Sequence, residues 1–126
     1  MALAGAVTLS EIPALAAEVE GDARSLAVQT EISPGFIAGL EDFSADAARL
    51  SDSLRAAGVA HDMPTIFKDI AEDAREQAAA LAGADTAEER QAALADLAPL
   101  FDDAIQLAPM AAGAAADVAV QRMAAR

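Results

Sequence analysis

A chain of 126 residues is long enough for one domain and too short for two ordinary ones. Its 21 acidic and eight basic residues give a formal charge of −13, which excludes non-specific binding to nucleic acid or anionic lipid, since each needs a basic footprint. Cysteine is absent, so disulfides, thiol nucleophiles and thiolate metal sites are excluded as well.

Apolar residues make up 55% of the chain, but alanine supplies much of that, and the four aromatic residues are all phenylalanine. The expected core is therefore lean, and burial in an oligomer would add to it. The opening "MALAGAVTL" is apolar but short and lacks a basic start, so a cytoplasmic location is expected. The alternative is export: "ALAAE", Ala14 to Glu18, has the form of a small-residue cleavage site at the end of a trimmed signal. No run approaches the roughly eighteen apolar residues of a membrane span, so no membrane insertion is expected.

Residues 1–9 are expected to form an arm, either poorly ordered or docked. Ser10 can cap a first helix through "EIPALAAEVEGDARSLAVQTE", with Pro13 in the tolerated first turn. Ile12, Leu15, Val19, Ala23 and Leu26 follow the spacing of one helix face, and Gly21 weakens the helix locally. "SPGF" restarts the chain, with Ser33 as N-cap and Pro34 as first helical residue. In the second helix Phe36, Leu40, Phe43, Ala47, Leu50, Leu54 and Ala57 alternate four and three apart, a seam suited to a partner helix at a shallow angle. Gly58 is placed to close it.

A third helix should start near Asp62 or Met63, with Pro64 in its first turn, and run to Gly83. Ile66, Phe67, Ile70, Ala74, Ala78 and Leu81 form its apolar face. "DTAEE" opens a fourth, Thr86 and Glu89 making a capping box, and the stripe continues through Leu94, Leu97, Phe101, Ala104, Ile105 and Ala108. Pro99 should kink this helix or split it near Leu97–Ala98. Pro109 should end it and begin a final alanine-rich helix. With no alternating strand-like run and only short links, the reading is a single all-α domain, 1–126, built as an up-and-down antiparallel bundle of four to five helices.

The only histidine and the only lysine stand together in "HDMPTIFKD". One histidine supplies one metal ligand where a site needs three or more, and Asp62 beside it cannot face the same way on a helix. Lys68 is expected to pair with Glu72 one turn later. The acid pairs Asp102–Asp103 and Glu88–Glu89 diverge on a helix rather than forming dyads. Met63, Met110 and Met123 could join His61 around a haem, but no C-x-x-C-H attachment is present and methionine ordinarily fills cores. "SPGFIAG" lacks the spacing of a phosphate loop. No catalytic residue, metal site or cofactor is expected.

The functional expectation is a non-enzymatic helical domain that binds another protein, or a second copy of itself as a homodimer, through apolar helix faces. Its candidate interface is Phe36, Ile37, Leu40, Phe43, Leu50 and Leu54 on the second helix, with Val118, Val120 and Met123 from the last segment. On that expectation Leu54→Glu weakens the dimer. Two alternatives are an acidic decoy that occupies the basic surface of a nucleic-acid-binding partner, and a bundle holding a small apolar ligand. The Ala/Arg/Asp-rich, lysine-poor usage resembles that of a GC-rich bacterium.

Overall fold

The computed structural model describes residues 4–29, 31–59 and 62–125, with side chains from residue 11 onward. Four helices occupy nearly all of it: α1 (Ala4–Ala27), α2 (Pro34–Ala57), α3 (Asp62–Ala82) and α4 (Ala87–Ala124), and no described residue lies in a strand.

The local chemistry of the caps explains most boundaries. Ser33 is extended (φ −106°, ψ 166°), and its Oγ accepts from the Phe36 N–H at 3.1 Å, with Pro34 pre-set in the first helical position. At the other end Gly58 adopts φ 81°, and its N–H donates to Arg55 O while that of Val59 donates to Leu54 O at 3.0 Å. This paired arrangement uses the last carbonyls of α2, and the buried Val59 packs beneath it beside Leu54. Thr86 caps α4 by accepting from the Glu89 N–H at 3.1 Å. The Glu89 carboxylate does not return to Thr86 itself but accepts from the Asp85 N–H, at 3.4 Å.

Two helix boundaries expected from sequence are corrected. Helix α1 begins at Ala4, so Ser10 lies inside it rather than capping it, and Pro13 is an interior residue. Helix α4 runs unbroken from Ala87 to Ala124, with Pro99 and Pro109 both inside, so neither splits it. Both prolines are exposed, so neither ring has to fit into the core. The buried residues Leu97, Phe101, Ala108 and Ala111 hold the turns on either side against neighbouring helices. Packing outweighs the local preference, and the count is four helices.

Helix α1 packs on α2 and α4, α2 on α3, and α3 on α4. Phe43 and Phe101 meet edge to face at 5.7 Å in the middle of the core. Between α2 and α3 the contact is close because small residues line it. Ser44 Oγ donates to Ala71 O at 2.7 Å, and one heptad on, Ser51 Oγ donates to Pro64 O at 2.6 Å. The two bonds advance along α2 as they retreat along α3, which fixes an opposed register. Ser44 and Ser51 are the buried polar residues of the described structure. Ser51→Ala should therefore cost about 1 kcal/mol, and Ser51→Val about 2–3, because valine loses the hydroxyl's hydrogen bond and adds a branch to a close helix–helix contact. Urea melts read both values; a Ser51→Val variant as stable as the parent would show that the spacing is not set here.

At the far end of the chain, Arg122 Nη2 donates to Ala57 O at 2.7 Å. A guanidinium placed at the carbonyl end of α2 complements the helix dipole and ties the last turns of α4 to that end.

Candidate interaction surface

The nine residues proposed from sequence as an interface separate into three groups. Phe36, Leu40, Phe43, Leu50 and Leu54 are wholly inside the core. They are not open to a partner: α1, α3 and α4 all pack on α2 and between them close its seam. Ile37 and Val118 are half-buried against the same core. Only Val120 and Met123 stand open, at 64% and 74% exposure.

With α2 enclosed, the remaining apolar surface is concentrated on α4. Of the four large apolar side chains exposed among the described residues, Met110, Val120 and Met123 are on α4, and Val28 follows the end of α1. Along one flank of the buried stripe of α4, a second seam advances four and three at a time. It runs through Ala98, Asp102, Ile105 and Pro109, then through Ala112, Ala116, Ala119 and Met123, every one exposed or half-exposed. Its first turns border an open apolar hollow of about 270 Å³ between α1 and α4, where Leu26, Leu94 and Phe101 show part of their surface. This spacing is legible in the sequence, but it is weaker than the α2 seam and is interrupted by Asp102 and Pro109.

Polar features lie elsewhere. Asp22 of α1 and Asp46 of α2 form a carboxyl pair across the α1–α2 contact, with Glu18 and Asp42 nearby. The Oδ2 of Asp22 is buried and makes no hydrogen bond. Burial first, then a hydrogen bond with Asp46 and the charges of Asp46, Glu18 and Asp42, push the Asp22 carboxyl up to about 7. The carboxylate of Asp46 is met by Arg49 Nη1 at 3.3 Å, a partly exposed pair. Sequence reading missed this contact, since nothing in the pattern shows which acids two packed helices bring together.

Lys68 faces a cleft over the α2–α3 contact together with Arg55, Arg75, Asp52 and Glu72, above a floor of Ser44, Ala48, Ser51 and Ala71. The expected Lys68–Glu72 ion pair is not closed; the ion pairs among the described residues are Arg24–Glu20 at 2.9 Å and Arg49–Asp46. His61 lies outside the described residues. Among those described, no three histidine or acidic side chains are arranged to hold a metal ion, and no helix is long and apolar enough to cross a membrane. Comparison with protein-family models, with curated proteins and with solved structures finds no match to this chain.

Proposed function

We propose that this chain is a non-enzymatic helical interaction domain that associates, with itself or with another protein, through an apolar helix face. One observation carries the reading: the outer side of α4 keeps Val120 and Met123 in solvent beside a heptad-spaced seam, while every phenylalanine is enclosed in the core. Large apolar side chains left in solvent beyond the bundle's own contacts are surface held for something outside it. The reading takes the four helices as an up-and-down antiparallel bundle, supported by the opposed register of α2 and α3 and by the short links. It takes α4 as bent near Pro99, where one backbone hydrogen bond is missing.

A charge of −13 on each chain makes self-association repulsive at low salt, so it should strengthen as salt rises, the reverse of an ion-pair interface. The test places a photo-crosslinking residue at Val120, and at exposed Asp69 as control, in the cell of origin and in the purified chain. Adducts from Val120 and none from Asp69, whether to a second copy or to another protein, support the reading. No adduct from Val120 in either setting, with a monomer mass at every salt and concentration, removes it.

A further inference from the structure

We infer that the second half of α4 is a hinged strap, turning about Pro109–Gly113 and held shut by Arg122 on the carbonyl end of α2. This rests on the reading of the chain as an interaction domain and adds its control, because Val120 and Met123 ride on the strap.

The hinge consists of two backbone weaknesses one turn apart. Pro109 has no N–H, so the carbonyl of Ile105 loses its helical donor, and the proline ring crowds the same turn. Gly113 follows, inside a helix where glycine is unfavourable relative to alanine. A Cβ added there would meet nothing within 4 Å, so no close approach within the chain requires a glycine. Pro99 is a similar break, but Leu97, Leu100 and Phe101 are buried around it and pin the helix on both sides.

Beyond Pro109 the inner face is held by much less. The buried stripe of α4 continues through Ala111 and Ala115, each giving one methyl group where Phe101 gives a ring. Val118 comes next in the stripe and is half-buried, and none of the described residues after Ala115 is fully buried. The following position, one turn on, is Arg122, so a stripe that starts with leucine and phenylalanine finishes in a charge. Roughly 24 Å of helix, from Pro109 to Ala124, is therefore packed through small side chains. Segments with so little buried apolar contact are the ones that open first.

The latch lies at the far end. The N–H groups of Gly58 and Val59 donate to the Arg55 and Leu54 carbonyls, which leaves Ala57 O to accept from Arg122 Nη2 at 2.7 Å. A cation donating to the carbonyl end of a helix makes one of the stronger hydrogen bonds a surface offers. Among the described residues it is the polar side-chain link between these turns and another helix. Without it, two alanines and a half-buried valine hold the strap. Whether Val120 and Met123 stand beside the end of α2 or swing clear of it then depends on one bond. A partner that prefers either arrangement shifts the balance toward it.

The absence of cysteine lets paired spin labels measure distances across the latch. Labels at Ala56→Cys on α2 and Gln121→Cys on the strap, both exposed, report closure. Labels at Asp69→Cys on α3 and Ala98→Cys on the first half of α4 serve as the control pair. The parent should give one dominant short distance across the latch. Arg122→Gln should raise the ratio of long to short distances by about tenfold or more while the control pair stays as it is. Adding Gly113→Ala should lower that ratio by about fivefold, because alanine stiffens the hinge. An unchanged distribution in Arg122→Gln would overturn the strap. Equal broadening of the control pair would overturn it too, since the bundle would then be loosening as a whole. A long-distance population indifferent to Gly113→Ala would overturn the hinge. Crosslinks from Val120 are scored separately, so a rigid α4 that still forms adducts removes the strap and leaves the interaction reading standing.

Discussion

Leu54→Glu should abolish the fold rather than merely separate two subunits. Leu54 is 0% exposed, surrounded by the core that α2 shares with its neighbours, and no cation lies among the buried residues there. The substitution removes the burial of a leucine, worth roughly 2 kcal/mol or more, and adds the cost of an unpaired carboxyl in an apolar site. Together these reach about 4–5 kcal/mol, close to the whole stability of a small domain. Circular dichroism at neutral pH should show little helix and no cooperative melt. Val120→Glu is the matched control: a charge at a side chain 64% exposed should move stability by no more than about 0.5 kcal/mol. A folded Leu54→Glu protein that melts near the parent would mean that the α2 seam is not enclosed.

Asp22→Asn should stabilise the protein above pH 7 and do little near pH 4. The folded chain holds the Asp22 proton up to about 7, against 3.8 when the carboxyl is free, so between those values the folded state binds more protons than the unfolded one. Stability from this group is then complete below 3.8, falls as pH rises through 7, and stays low beyond it. The full separation corresponds to about 4 kcal/mol. Asp22 keeps some contact with solvent, which screens its neighbours, and about 1–2 kcal/mol is the expected share. Asparagine resembles the protonated carboxyl in shape and charge, so it should remove this pH dependence. Urea titrations of both proteins at pH 5 and pH 8 decide the matter: an equal effect at both, or destabilisation at pH 8, would show that the carboxyl pair does not hold the proton.

Residues that are near one another in sequence could be read without coordinates. Ser33 with Pro34, Gly58, and Thr86 with Glu89 set helix ends because a cap satisfies backbone groups only three or four residues away. The apolar periods gave the all-helical class for the same reason, since a period of 3.6 residues is a property of one segment. Pro13, Pro99 and Pro109 marked the limit of that reasoning. Each opposes the helix locally, yet each lies within one, and around Pro99 and Pro109 the buried residues on both sides keep the turns in place.

What the sequence by itself determined is the kind of element: helical stretches throughout, their clearest caps and which residues share a face. The tertiary structure alone decided which faces are used. Phe36 to Leu54 made the strongest seam, but three neighbouring helices close over it, while Met110, Val120 and Met123 on α4 are left open. It likewise brought Asp22 to Asp46, Ser51 to the Pro64 carbonyl and Arg122 to the Ala57 carbonyl. The physical reason is that periodicity states which way a side chain points relative to its own helix axis. Whether anything stands opposite depends on how the helices are arranged around one another, and that arrangement is a balance of packing over the whole chain.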